Sequence, residues 1–236
     1  MEDTTIRPVF SSIEDAINSI SNGDMIIVVD DENRENEGDM VMAGDLVTPE
    51  HVNFMISQGK GLLCVPITAE YAERLEIPLM TSKNNERHGT KFTISVDVID
   101  GTTTGISASE RAKSVRALAN PDSRAEMFMR PGHVFPLIAE KGGVLKRAGH
   151  TEAAIDLAIL AGMNPVGAIC EIIRDDGEMA RLDDLIGFAR KHNLKIVTIE
   201  DLIHYRRKKE RLIHRVSIAK LPDRKSTRLN SSHRIR

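Results

Sequence analysis

The sequence is poor in cysteine, poor in aromatics and free of long apolar runs, and each shortage removes a class of protein. Two cysteines, Cys64 and Cys170, each sit inside an apolar stretch, which fits reduced thiols in a cytoplasmic core better than a disulfide framework. Their spacing does not resemble a metal knuckle. The most apolar segment, Ala153 to Cys170, is broken by Asp156, Asn164 and Pro165. It falls short of the roughly 20 apolar residues that span a bilayer. The first residues, Met-Glu-Asp-Thr-Thr-Ile-Arg, lack the basic start and apolar segment of a secretory leader. A soluble cytoplasmic protein with no membrane partner is expected.

Familiar nucleotide signatures are also missing. Gly59-Lys60-Gly61 has no phosphate-loop spacing before it and no Ser or Thr after it, and no Gly-x-Gly-x-x-Gly follows a strand. The net charge of -3 hides an asymmetry: residues 1–205 hold 20 basic against 33 acidic side chains, and residues 206–236 hold 12 against 2. A basic tail can bind nucleic acid, but an acidic body repels phosphate backbones and only Tyr205 offers an aromatic nearby. No nucleic-acid partner is expected.

What is present is an alternation of helical and strand patterns. Ile13, Ala16, Ile17 and Ile20 recur at helical spacing, and Met25–Val29 follows as a continuous strand-like run. Further strand-like runs lie at Leu62–Ile67, Phe92–Val98, Val166–Ile173 and Lys195–Ile199. Helical patterns lie at Pro49–Ser57, Ser107–Ala119, Thr151–Ala161, Leu182–His192 and Asp201–Ile213. This mixture predicts an α/β (α+β layered) fold, a mixed β-sheet flanked by helices in a single domain. Irregular stretches are expected at Asp30–Asp39, Met80–Lys91, Gly101–Gly105 and Pro121–Gly143, and loops that long are usually functional or disordered. Lys225–Arg236 has no apolar period and reads as a cloning or adaptor tail.

Five stretches could carry chemistry. Asp30–Asp39 packs six carboxylates and Arg34 directly after a predicted strand, which invites a hard cation such as magnesium, manganese or calcium, or is simply a solvated acidic loop. A calcium EF-hand fails, because starting it at Asp31 puts Asn36 where glycine is required and Met42 where the closing glutamate belongs. Arg147-Ala148-Gly149-His150-Thr151 opens a helical run, so free N–H groups and an arginine fork could receive a phosphate, unless Thr151 merely caps the helix. His133 lies between a Pro-Gly turn and an apolar run, placed for acid–base work or for a structural role. Glu171 follows the apolar run Val166–Cys170 and needs a partner or a raised pKa. Gly101–Ser107 could wrap a ligand, or Ser107 could be only a helix cap.

Taken in order, Asp30–Asp39, Gly101–Ser107, Arg130–Leu137, Arg147–Asp156 and Cys170-Glu171 resemble the motifs of the 3,4-dihydroxy-2-butanone 4-phosphate synthase family, over roughly residues 8–212. The resemblance implies conversion of D-ribulose 5-phosphate to L-3,4-dihydroxy-2-butanone 4-phosphate and formate through a metal-stabilised enediol, in riboflavin biosynthesis. It implies two Mg2+ ions per site, or Mn2+, held by Glu35 and His150. It further implies substrate contacts from Arg34, Asp39, Arg147, Ala148, Gly149, His150, Thr151 and Glu171, with His133 and Glu171 essential to proton movement. A homodimer is implied too. The competing readings are another metal-dependent isomerase or lyase of pentose phosphates, and a non-catalytic sugar-phosphate-binding protein. Residues 1–213 would form the synthase domain, and 214–224 the remnant of a linker. That linker resembles the junction leading, in bifunctional relatives, to a GTP cyclohydrolase II domain; residues 225–236 would be the tail.

Overall fold

The computed structural model describes residues 10–31 and 34–210. The linker and tail readings for residues 214–236 lie outside the described residues, as does the end of the helix expected over Asp201–Ile213. In chain order the elements are α1 (Ile13–Ser21), β1 (Ile26–Val29), β2 (Gly38–Ala43), α2 (Pro49–Phe54), β3 (Cys64–Ile67), α3 (Ala69–Arg74) and β4 (Val96–Val98). There follow α4 (Ala108–Ala119), β5 (Phe128–Ile138), α5 (His150–Leu160), β6 (Gly167–Glu171), α6 (Leu182–His192), β7 (Lys195–Thr198) and α7 (Ile199–Lys209).

Local chemistry explains the helix starts. Ser12, Thr48, Thr68, Ser107 and Thr198 each accept a hydrogen bond from a first-turn N–H, satisfying a donor the helix itself cannot. Asn193 ends α6 in the left-handed region, φ 54°, which asparagine tolerates better than most residues.

Among the described residues the strands form one mixed sheet in the order β4-β5-β3-β6-β2-β1-β7. β1 pairs antiparallel with β2 and parallel with β7; β3 pairs parallel with β5 and antiparallel with β6. Strand alternation then sorts side chains between two cores. Ile26, Val28, Val41, Ala43, Cys64 and Ile169 join the α1, α5 and α7 layer, whereas Ile27, Val29, Met40, Met42 and Cys170 join α2, α4 and α6. The two free thiols therefore lie on opposite faces. The expected fold class is borne out: a single mixed sheet between helical layers.

α5 is apolar almost all round because it is the central helix of its layer. Its two acidic residues are buried with partners, Glu152 against Arg147 at 2.6 Å and Asp156 against Arg206 at 2.7 Å. Leu157 has no exposure, so truncating it to alanine would cost about 2–5 kcal/mol.

Three element expectations need correction. Pro121–Gly143 is not irregular throughout, since it holds β5, at 11 residues a long strand inside the sheet. Pro131-Gly132 reads as a turn, but the strand bulges there: Val96 pairs with Val134 while the next residue, Asp97, pairs with Met129. Asp30–Asp39 runs into β2, whose Gly38 and Asp39 were expected to be loop. Phe92–Val98 is regular only from Val96, with Phe92 and Thr93 in isolated bridges.

Candidate active site

Residue alternation places the acidic side chains before any side-chain contact is considered. Asp39 shares the parity of Val41 and Ala43, Glu171 that of Ile169, and Asp30 that of Ile26 and Val28, so all three project to the α5 side of the sheet. Asp39 and Glu171 are direct partners across the antiparallel β2–β6 pair. Cys64 faces the same side, 2% exposed, and burial together with Glu171 and Asp39 pushes its thiol well above the ordinary value.

The acidic loop is folded by Asp30. One of its oxygens accepts from the Glu35 N–H at 3.1 Å and from Arg34 Nη1 at 2.8 Å, and the other accepts from the Glu37 N–H at 3.0 Å. Arg181 donates to the Glu35 carbonyl at 2.9 Å from the other side. So held, Glu35 points one carboxylate oxygen at Arg34, 2.8 Å, and the other at His150 Nδ1, 3.4 Å.

His150 is the first residue of α5, 5% exposed, and its Nε2 is buried without a hydrogen-bond partner. Ligand atoms of Asp30, Glu35 and His150 lie within 4.8 Å of one another. Burial opposes charge on the imidazole, but Asp39, the Glu35 hydrogen bond and Asp30 outweigh it and raise His150 to about 9. Burial likewise opposes charge on Glu35, yet His150 and Arg34 bring its carboxyl down to about 2. Asp39 goes the other way: burial, reinforced by Glu171, Glu35 and Glu37, raises it to about 7 against the pull of His150. The cluster holds more negative charge than its two cations neutralise, in a space largely closed to water. A hard divalent cation fits that donor set and the orphaned imidazole nitrogen.

The start of α5 has no side-chain cap, and its N-cap is Gly149. The first-turn N–H groups are thus available to an anion. A side chain at Gly149 would collide with the Arg147 guanidinium. Arg147 is turned inward, with Nη1 on Glu152 at 2.6 Å, Nη2 on Thr90 Oγ1 at 2.8 Å and Nε on the His88 carbonyl at 3.2 Å. Its charge is compensated by Glu152, so the helix start itself is the freer anion site. Ala148 and Arg34 line a cavity of about 840 Å³ together with Arg181, Leu185 and Ile199.

Of the residues singled out in the sequence, the structure gathers Arg34, Glu35, Asp39, His150 and Glu171, with Ala148, Gly149 and Thr151 at the adjoining helix start. It does not bring His133 into that group. Glu171 Oε2 accepts from the Leu62 N–H at 2.8 Å, and β3 lies between β6, which carries Glu171, and β5, which carries His133. His133 is therefore at least two strand spacings from Glu171, about 10 Å. Its own neighbour is Asp97, with Nδ1 to Oδ2 at 2.6 Å. Asp97, Glu152 and the loop-folding role of Asp30 were not found in the sequence. Asp97 carried a usable signal, a carboxylate between two valines of a strand, the same kind that drew attention to Glu171.

A family model described as 3,4-dihydroxy-2-butanone 4-phosphate synthase matches residues 14–205. The chain belongs to that synthase family. It is 57% identical over 215 residues to the probable bifunctional riboflavin biosynthesis protein RIBA 2, chloroplastic, of Oryza sativa, covering 90% of this chain and 39% of the relative. It is 55% identical over 214 residues to the riboflavin biosynthesis protein RibBA of Bacillus mycoides, covering 91% and 54%. The chain thus spans about half the length of the curated relatives it matches. Among solved structures, a 3,4-dihydroxy-2-butanone 4-phosphate synthase in complex with two magnesium ions superposes with a TM-score of 0.83 at 44% identity, covering 85% of this chain and 98% of that one. A two-domain synthase from A. baumannii superposes with a TM-score of 0.85 at 46% identity, covering 89% and 62%. The synthase fold expected from the sequence is therefore found both in the sheet and in solved relatives.

Proposed function

We propose that this chain converts D-ribulose 5-phosphate to L-3,4-dihydroxy-2-butanone 4-phosphate and formate, supplying the four-carbon unit of riboflavin biosynthesis. The observation that carries the reading is the junction of Glu35 and His150, 3.4 Å apart, with an unpartnered imidazole nitrogen beside the facing carboxylates Asp39 and Glu171. Glu35 and His150 would hold Mg2+, two ions per site, with Mn2+ as the alternative; a solved relative is in complex with two magnesium ions. When bound, such ions supply positive charge beside the oxygens of a sugar enediolate.

The chain's own residues do the rest. The substrate phosphate lies at the free N–H groups of His150 and Thr151, with Arg147, Ala148 and Gly149 shaping that end and Arg34 and Asp39 contacting the sugar. Glu171 removes or returns a proton near the ketone, and Asp39, with its carboxyl raised to about 7, can share that work near neutral pH. The overall reaction keeps all atoms of the pentose phosphate, so the water lost from the enediol is returned when the terminal carbon leaves as formate. His133 serves a later proton transfer.

A homodimer brings the two histidine regions into use together. Exposed Ile99, Met127 and Met129 flank the Asp97–His133 pair, and Ile106 lies on the adjoining loop; such a patch supports a second copy docking there. We place the protein in the cytoplasm, a reading supported by two buried free thiols; no helix among the described residues is long and apolar enough to cross a membrane. The synthase domain is taken as residues 1–213, and a following GTP cyclohydrolase II domain in the native protein is part of the proposal, supported by the bifunctional name of the rice relative.

Formate release from ribulose 5-phosphate, measured with Mg2+ and then with a chelator, tests the reading. One formate per pentose phosphate, lost with chelator and restored by Mg2+, supports it. Isomerisation without formate would assign the chain to another metal-dependent isomerase.

A further inference from the structure

The Asp97–His133 pair has the build of a proton-transfer device in its own right. Asp97 is 2% exposed and spends both carboxylate oxygens on one residue: Oδ1 accepts the His133 backbone N–H at 2.9 Å, and Oδ2 meets Nδ1 of the ring at 2.6 Å. That double hold fixes the main chain and the imidazole plane together. The His133 side chain is 43% exposed, and its Nε2 has no partner among the described residues.

Two glycines make the pairing possible. Gly132 sits in the β5 bulge with its Cα against the β4 backbone, where any side chain would strike the Val96 and Asp97 main chain. Gly105, at φ 86°, lies against the Asp97 carboxylate, and a side chain there would overlap both Asp97 and the His133 ring. The loop that carries Gly105 is tied down by Glu110 of α4, whose carboxylate accepts from the Thr103 N–H and hydroxyl, the Gly105 N–H and the Ser107 hydroxyl. Through Gly105 the Gly101–Ser107 loop is held as a wall against the Asp97 carboxylate.

We propose that Asp97 is the positioning residue of His133: it keeps a proton on Nδ1, presents the Nε2 lone pair to the substrate, and compensates the imidazolium formed when Nε2 takes a proton. In the transfer a substrate C–H or O–H bond breaks, its electron pair stays on the substrate, and the proton moves to Nε2; Nδ1–H remains in place. The proposal rests on the reading of His133 as a proton-moving residue. A carboxylate in this place need not change its own protonation to matter, because the ring's tautomer and plane decide whether Nε2 can act.

The test uses the full chain with Mg2+ and ribulose 5-phosphate, comparing the wild type with Asp97→Asn and His133→Ala. Ring 15N shifts, with the His133 signals identified by their loss in His133→Ala, should show wild-type His133 with its neutral-form proton on Nδ1. Asp97→Asn should lose about 100-fold in kcat with KM within about twofold, keep its Mg2+ binding, and move the proton to Nε2. If His133→Ala is inactive and Asp97→Asn keeps kcat within about threefold, the positioning role is wrong while the His133 reading stands. If His133→Ala retains activity, that reading fails and takes the pairing with it. Should Asp97→Asn not fold, the wild-type spectrum decides alone, and a proton on Nε2 overturns the proposal.

Discussion

His150 starts the helix α5 and His133 lies in the strand β5, each touching a carboxylate, and the surroundings give the two imidazoles different chemistry. His150 is buried at a helix start among Asp30, Glu35, Asp39 and Glu171, with a nitrogen left unpaired. His133 is exposed and has the single carboxylate of Asp97. Several carboxylates around a buried imidazole make a site too negative to stay without a cation, whereas one carboxylate behind an exposed imidazole only orients it. The number of neighbouring charges and the access of water therefore separate a metal ligand from a proton carrier, although both are histidines paired with acids.

The comparison breaks most sharply at the metal end. Glu35→Ala or His150→Ala should lower formate production by about 1000-fold or more and abolish Mg2+ binding in calorimetry. Near-normal activity in either variant would mean that the ligands are wrongly assigned. At the other end, His133→Ala should lower kcat by about 100-fold to 10,000-fold while Mg2+ affinity and KM stay close to wild type. Loss of Mg2+ binding there would merge the two regions into one.

A pH experiment sharpens the contrast. In the metal-free protein the charged His150, raised to about 9, adds stability that is complete below about 6.5 and disappears as pH rises through 9. Glu35, lowered to about 2, adds stability present above about 4.5 and lost as pH falls through 2. A divalent ion must displace the His150 proton, so binding releases protons and strengthens with pH. Melting curves with chelator should fall from pH 6.5 to 9, and the rise in Tm on adding Mg2+ should be larger at pH 8.5 than at 6.5. A Mg2+ effect independent of pH would remove His150 from the ligand set.

The smallest effect is expected in the wall behind Asp97. Glu110→Gln weakens the hydrogen bonds that hold Thr103, Gly105 and Ser107, so amide exchange at Thr103 and Gly105 should quicken while kcat falls only a few-fold. Glu110 is lowered to about 2 by those same N–H and hydroxyl donors, so in the wild type the loop should loosen as pH falls from about 4.5 towards 2. Unchanged exchange would show that the loop is held by something else.

Much of this was legible along the chain. α6 was read at its observed bounds, Leu182–His192, because its apolar spacing and acidic first turn are local signals. Asp30–Asp39 and Glu171 stood out because charged residues beside apolar runs are unusual wherever the chain later folds, whereas Arg34, Glu35, Asp39 and His150 were singled out only by the resemblance to the synthase motifs. β5 was hidden, since proline and glycine normally close a strand and only a partner on each side sustains this one. The partner of Asp97 was hidden because it lies 36 positions away in the chain.

By itself the sequence determined the helices, most of the strands and the chemical types available, since capping, periodicity and charge act within a few residues. Only the tertiary structure decided which carboxylate meets which histidine. Glu35 reaches His150 through the packing of the acidic loop against the start of α5, and Asp97 reaches His133 through strand register and the bulge in β5. A slip of a single residue turns a side chain to the other face of the sheet, and no short-range pattern records that choice.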